Sequence, residues 1–437
     1  MKKSFFHKLF LLFTLITLPA LVFANGFQIN EQGAKSLGMG GAFVAQADNP
    51  DAVYFNPAGI TQLEGAQISL GLSPITPNAT FDSDQTGKST DAKKQTFYIP
   101  VFYATLKATD RVSVGFGTFS NYGLATEWPS DWEGRYITGG TKAEIVTLTL
   151  NPNLAVKVTD KLSLAVGVDI QKMEVTLENK LKIVPYGEGY TVLNSDGDSQ
   201  LKADDWAYGW NVALHYKITN NWNAGISYRS KIKHEIEDGT ANLNLPDGRF
   251  TTDFENFSST TPAMSIQKTG STDITLPDIL YIGTSYKLGK FTFELDGQWT
   301  GWSSYDKLEV TFEDGSVQSK PKDWDDVWAI RFGMQYKVND MLDLRAGLIR
   351  DYSPIPDETL DPLVPSGDRW LYALGFGLNF ENLSLDFAYN YLDDENRTFN
   401  NKVGSEAPYG ITAPQMTGEF KSLDAHIFEI SVTYRFK

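Results

Sequence analysis

From residue 66 onward, hydrophobic and polar positions alternate with a period of two. In 206–218 the even positions are Trp206, Tyr208, Trp210, Val212, Leu214, Tyr216 and Ile218. The odd ones are Ala207, Gly209, Asn211, Ala213, His215 and Lys217. In 324–338 Trp324, Trp328, Ile330, Phe332, Met334 and Tyr336 stand against Ala329, Arg331, Gly333 and Gln335. Successive strand side chains point to opposite faces, so one face is apolar and the other small or polar. The pattern predicts fourteen strands, at 66–73, 95–107, 111–119, 142–158, 161–180, 204–218, 221–236, 271–288, 290–312, 323–338, 341–351, 368–380, 383–395 and 419–436.

The connections alternate strictly between short and long. Short ones fall at 108–110, 159–161, 219–221, 288–290, 338–340 and 380–382. Long ones fall near 74–94, 120–141, 181–203, 237–270, 313–322, 352–367 and 396–418. A soluble sandwich has no reason to keep this asymmetry. Outer-membrane barrels do, with short periplasmic turns and longer outer loops. Aromatics also recur near strand ends, at Trp206, Tyr216, Trp222, Tyr286, Trp324, Tyr336, Trp370, Phe380, Tyr391, Tyr434 and Phe436. Two interfacial girdles give that pattern. The fold class expected is therefore all-β, a 14-stranded antiparallel transmembrane β-barrel.

Residues 25–64 do not alternate. They carry glycines at 26, 33, 38, 40, 41 and 59, the segment Asn56-Pro57-Ala58, and the aromatics Phe27, Phe43, Tyr54 and Phe55. That glycine and proline density builds neither a long helix nor a strand. The aromatics make the segment too apolar for a solvated linker. Its simplest burial is inside the barrel, as an N-terminal hatch plugging the lumen, with 65–437 as the barrel itself.

Residues 1–24 read as a cleaved signal peptide. Lys2, Lys3 and Lys8 precede an apolar core, and Val22-Phe23-Ala24 is a small-residue cleavage site. The core is about half of what a spanning helix needs, which argues against an uncleaved anchor. The whole chain carries a net charge of −16, and the mature part, without those three lysines, −19. Nucleic acid needs basic patches, so it is not an expected partner. There are no cysteines, hence neither disulfides nor a thiolate metal site.

The residues then resemble the outer-membrane transporters of hydrophobic compounds typified by FadL and TodX. The motifs are Gly26-Phe27-Gln28-Ile29-Asn30-Glu31, Asn56-Pro57-Ala58-Gly59, and Tyr122-Gly123-Leu124-Ala125-Thr126-Glu127-Trp128 running to Trp132-Glu133-Gly134-Arg135-Tyr136. The last strand, ending Tyr434-Arg435-Phe436, agrees, while Lys437 follows the usual terminal aromatic. The resemblance implies a monomer with passive uptake of long-chain fatty acids or aromatic hydrocarbons. It implies capture at outer loops, binding in the lumen, and lateral exit at a kinked third strand. Its partners are then a hydrophobic small-molecule ligand, outer-membrane lipid and lipopolysaccharide, and the barrel-insertion machinery.

Candidate residues follow. Phe27, Phe43, Phe55, Asn56, Pro57 and Ala58 belong to the hatch. Gly115 and Gly117 are where the third strand bends at least strain, or simply make room for the hatch. Tyr122, Leu124, Trp128, Trp132, Phe254 and Phe257 are loop residues for capture. Arg331 and Arg345 are candidates for an anionic head group. They lie among inward charges, with Asp169, Arg229, Glu294, Asp296, Asp386 and Glu429, that otherwise form a wall network holding the hatch. No cofactor or metal is expected. His215, His234 and His426 have no recognisable nucleophile partner, which disfavours a barrel esterase or protease. The rival functions are a general diffusion porin, which needs no 40-residue apolar hatch, and an adhesin-like structural barrel.

Overall fold

The computed structural model describes residues 26–181, 190–192, 196–245, 248–252, 258–261, 263–401 and 416–436. The expected signal peptide and Lys437 lie outside them. Among the described residues fourteen long strands form one antiparallel sheet. They are β1 (Ala66–Ser83), β2 (Phe97–Lys107), β3 (Val112–Phe119 with Gly123–Glu127), β4 (Lys142–Lys157), β5 (Leu162–Leu181), β6 (Gly197–Lys217) and β7 (Trp222–Arg229 with Ile232–Leu245). There follow β8 (Met264–Leu276 with Ile279–Leu288), β9 (Phe291–Thr300 with Lys307–Phe312), β10 (Val327–Lys337), β11 (Leu342–Asp351), β12 (Arg369–Asn379), β13 (Leu383–Asp394) and β14 (Gly418–Phe436). Pairing of β1 with β14, from Ala66↔Phe436 to Ser83↔Gly418, closes the sheet into a barrel.

The barrel is inside-out relative to a soluble core. Leu70, Val166, Ile282, Leu295, Ile330 and Leu374 are exposed on its outer face. Ser69, Asn151, Asn211, Gln298 and Thr433 are buried on its inner face. A continuous apolar exterior of this kind meets lipid, and a closed ladder leaves no backbone edge unsatisfied there. The short turns share one device. Thr109 Oγ1 accepts from the backbone N–H of Arg111 (3.2 Å) and Val112 (3.0 Å). Thr159 does the same for Lys161 and Leu162, and Asn339 Oδ1 for Met341 and Leu342. A side-chain oxygen that replaces the ladder acceptor ends a strand within a few residues. These turns and the long connections lie at opposite ends of the barrel. A cysteine at Asn339 is therefore expected to resist membrane-impermeant thiol reagents in intact cells, and one at Ser258 to react. Labelling at Asn339 alone would reverse the orientation.

Several strands outrun their sequence signal. β1 continues ten residues past 73, through Pro74 and Pro77. Pro74 pairs with Tyr98 of β2, while the β14 ladder skips Ser73 and Pro74. The missing N–H thus falls where no ladder bond is made. β6 begins at Gly197 and β7 ends at Leu245, both inside segments expected as loops. Above the bilayer nothing requires an apolar outer face, so the alternation fades while the ladder persists. The segments expected as single strands at 271–288 and 290–312 are each interrupted, the second by the turn Trp302–Ser304. Trp324 is a correction too. It precedes β10 and turns inward, 3% exposed, instead of joining the outer girdle.

Candidate functional site

Residues 26–63 lie inside the barrel, and almost all of them are buried. Close approach is possible because glycine meets glycine. A Cβ at Gly347 would stand 2.2 Å from Gly40 N, and one at Gly375 would stand 2.9 Å from Gly38 Cα. Gly40 and Gly41 take φ of 66° and 68°, where glycine alone is unstrained. Gly38-Met39-Gly40-Gly41 is thus a packing surface for the wall. Carboxylates of β9 then fasten the segment. Asp296 Oδ2 accepts from the N–H of Phe43 (2.8 Å) and Val44 (3.1 Å). Glu294 accepts from Ala45 (2.6 Å) and Gln46 (2.9 Å). His215 Nε2 lies 2.8 Å from Ala45 O.

Asn56 caps the turn Pro57–Gln62. Its Oδ1 accepts from Ala58 N (3.1 Å), and its Nδ2 donates to Val44 O (2.7 Å) and to Leu214 O of β6 (3.0 Å). Pro57 sits at the first helical position, where its locked φ fits and no N–H is missed. Phe43 and Phe55 meet edge to face at 5.9 Å. Of the expected hatch residues, Phe43 and Phe55 meet and Asn56, Pro57 and Ala58 share one turn, while Phe27 packs elsewhere, against Tyr122, Trp302, Tyr305 and Trp324.

Gly115 and Gly117 are not at a break. Both pair with β2 and with β4 in regular register. A Cβ at Gly115 would stand 2.9 Å from Val53 and 3.0 Å from Ile60, so the room they leave is filled by the inner segment. The break comes later. β2–β3 pairing stops at Phe102↔Thr118, and the outer segment of β3 pairs with β4 alone. In between, Asn121 O accepts from Ile29 N (2.8 Å), and Gly123 N donates to Phe27 O (2.9 Å). The third strand bends inward at 120–122 to pair with the N-terminal segment. Gly115→Val and Gly117→Val, tested singly, are expected to unseat residues 53–60 by collision. Trypsin or thermolysin sensitivity of that segment is the check, and unchanged resistance would mean the wall yields instead.

Of the residues expected for capture, Tyr122, Leu124, Trp128 and Trp132 are buried rather than displayed on the surface. Trp128 and Trp132 stack at 4.5 Å. Phe254 and Phe257 lie outside the described residues. Arg331 donates to Gly40 O (3.2 Å), Asn30 Oδ1 (2.8 Å) and Gln298 Oε1 (2.6 Å). Arg345 pairs with Asp386 at 2.6 Å. Arg331 thus ties the wall to the inner segment, and the Arg345 guanidinium stays within the wall, on Asp386 and Gln335.

A different cationic site lies higher, above the membrane-spanning part. Lys320 and Lys322 converge on one carboxylate, Asp361. Lys322 donates to Asp361 Oδ2. Lys320 Nζ lies 3.1 Å from the same oxygen, off hydrogen-bond alignment, and has no acceptor among the described residues. Among the described residues two cations share one anion, leaving a net positive charge in a buried place. Burial and the neighbouring Lys322 outweigh Asp361 and draw the Lys320 ammonium down to about 8. The two lysines hold Asp361 below the usual carboxylate range despite its burial. Lys322 also lines an apolar cavity with Phe27, Leu124, Val175, Ile274, Leu308 and Leu363. At its floor Phe27 is ringed by Trp302 (4.8 Å), Trp324 (5.7 Å), Tyr305 (5.8 Å) and Tyr122 (6.1 Å). Sequence reading missed Lys320, Lys322 and Asp361. Their only mark in the sequence was two lysines two apart, in a segment expected as a loop, of which Lys320 lies on the short strand Val317–Pro321 and Lys322 just beyond it.

The geometry defines a β-barrel of the outer membrane whose lumen holds its own N-terminal segment and an apolar cavity. The family model for the outer membrane protein transport proteins (OMPP1/FadL/TodX) matches residues 15–436, and the chain belongs to that family. A long-chain fatty acid transport protein of Escherichia coli O6:H1 is 27% identical over 93% of this chain and 95% of its own. Outer membrane protein P1 of Haemophilus influenzae is 26% identical over 94% and 95%. Among solved structures, a Pseudomonas aeruginosa FadL homologue aligns with a TM-score of 0.78 at 20% identity, covering 94% of this chain and all of that one. The Pseudomonas putida toluene transporter TodX aligns at 0.70 and 18%, covering 92% and 98%. These structural likenesses concern the fold.

Proposed function

We propose that the chain carries hydrophobic molecules with an acidic head group, foremost long-chain fatty acids, passively across the outer membrane. The observation that carries this reading is the unneutralised Lys320–Lys322–Asp361 site at the edge of an apolar cavity. A carboxylate there completes the charge balance, and an alkyl chain that parts the apolar side chains beside it gains roughly 25 cal/mol per Å² removed from water. The fatty-acid transporters among its relatives support the same class. The aromatic ring around Phe27 favours a second reading, a monoaromatic hydrocarbon lodged against Trp302 and Trp324.

Residues 25–64 act in this reading as a hatch that stops aqueous leak. Capture takes place beneath the surface, where Trp128 and Trp132 wall the upper lumen, and the exposed loop tips have little part in it. Lateral exit uses the gap above Thr118, where β2 loses its β3 partner. The test is equilibrium binding of oleate, oleyl alcohol and toluene to purified protein. Oleate is expected to bind more tightly than the alcohol by at least roughly tenfold, the worth of one charge-assisted bond. Equal affinities would remove the carboxylate from the reading, and preference for toluene would favour the second. Appreciable sugar flux in liposome swelling would point instead to a diffusion porin.

A further inference from the structure

The wall has another discontinuity, between β6 and β7. These strands pair regularly from Asn223↔Lys217 to Arg229↔Asn211, and again from Thr240↔Lys202 to Asn244↔Asp198. Between Arg229 and Thr240 β7 advances eleven residues, while β6 advances nine between Asn211 and Lys202. The two extra residues push β7 out of register, as bulges do. At the lower edge Ser230 N still donates to Trp210 O (2.9 Å), and Trp210 N donates to the Ser230 side-chain Oγ (2.9 Å). Above it, among the described residues, side chains do the stitching, Asp205 to β7 and His234 Nε2 to Gln171 Oε1 of β5 (3.1 Å). Asp205 Oδ2 accepts from Glu235 N (3.2 Å) and lies 3.2 Å from His234 Nδ1. Ile232 leans over Gly209, within 2.8 Å of where a Cβ would be.

The seam stands at the upper edge of the lipid-facing surface. On its outer side β6 shows Trp206, Tyr208 and Trp210, with Tyr208 70% exposed. One step higher the exterior turns charged, with Lys172 paired to Glu174 at 2.7 Å and Asp204 at 3.6 Å. Directly behind the seam lies an apolar cavity of about 40 Å³. Its lining comes from both sides of the seam, Leu201 and Ala203 of β6, Ile236 and Ala241 of β7. It shares Val175, Leu177, Ile274 and Leu308 with the cavity that reaches Phe27 and Lys322. Apolar side chains thus stand side by side from behind the seam to the cationic site, and an alkyl chain between the two would have to part them.

We propose that the β6–β7 seam is a lateral entrance, through which the alkyl chain of an amphipathic carboxylate dissolved in the outer leaflet passes into the lumen. The inference rests on the fatty-acid reading above. Entering from the interface, the chain never crosses water, which would cost roughly 25 cal/mol per Å² of its surface. Broken pairing is tolerable there because the girdle borders water, whereas unpaired backbone deeper in hydrocarbon finds no partner at all. Opening requires Ile232 and His234 to swing aside, and the two extra residues of β7 supply the slack.

The chain has no cysteine, so a reversible bridge is clean. Asp205→Cys with His234→Cys would be joined by a short bis-thiosulfonate, and oleate uptake measured in cells before bridging, after it, and after reductant. Ala165→Cys with Ala213→Cys, facing each other across the regular β5–β6 ladder, is the control. Bridging 205 to 234 is expected to slow uptake by roughly tenfold or more, as blocked gates do, with recovery on reduction and no effect at the control. Wild-type uptake in the bridged protein would overturn the seam and leave the fatty-acid reading standing. Failure of the unmodified protein to take up oleate would overturn both. Equal loss at both pairs would assign the effect to wall stiffness and also count against the seam.

Discussion

Lys320→Met is expected to abolish the preference for oleate over oleyl alcohol while leaving the barrel folded. The substitution leaves Lys322 and Asp361 as a balanced pair, so the net charge that would meet a carboxylate disappears. A hydrogen bond to a charged group is worth about 1.5–3 kcal/mol, or roughly 10- to 150-fold in affinity. Lys320→Met also removes a buried ammonium in excess of the one carboxylate that faces it among the described residues, so the fold is expected to gain or hold stability. The same site fixes the pH response. Lys320 loses its proton near 8 in the folded protein, against 10.5 ordinarily. The attraction for a carboxylate is therefore fully present below about 8 and declines as pH rises through it. Titration calorimetry with oleate between neutral and alkaline pH should show that fall, and with oleyl alcohol a flat line. Parallel behaviour of the two ligands would place the head group elsewhere.

Glu294→Ala with Asp296→Ala is expected to release the N-terminal segment from the lumen. The two carboxylates accept four consecutive backbone N–H groups, those of residues 43–46. Without them, four buried donors lose their acceptors, each at roughly 1–3 kcal/mol. The cost falls on the inner segment alone, because the barrel ladder between β8, β9 and β10 does not use these side chains. Sugar flux through liposome-reconstituted protein should rise from near zero to that of an open pore, and amide exchange at 43–46 should lose its protection. The folded band on an unheated gel should persist. Retained protection at 43–46 would show that the glycine contacts with β11 and β12 suffice.

Much of this protein was legible in one dimension. The period-two pattern in 206–218 and 324–338 placed the strands, because lipid on one side and lumen on the other demand opposite chemistry from neighbouring residues. Glu294, Asp296, Arg331 and Arg345 stood on the polar face in sequence and are buried inward in the structure. Asn56-Pro57-Ala58 stood out in the sequence as part of the hatch, and the structure adds that Asn56 caps the turn there. The tertiary structure decided what depends on partners far along the chain. Lys322 meets Asp361 across 39 residues, and Phe27 meets Trp302 and Trp324 across the whole lumen. Trp324 looked outward-facing because alternation says which face a strand residue takes, and it stands before the strand begins. Gly115 and Gly117 looked like the bend because glycine permits one. The bend fell at 120–122 instead, where Asn121 and Gly123 found hydrogen-bond partners in residues 27–29. The seam between β6 and β7 left no mark in the pattern either, since it arises from a count of residues on two strands, and only their pairing compares those counts.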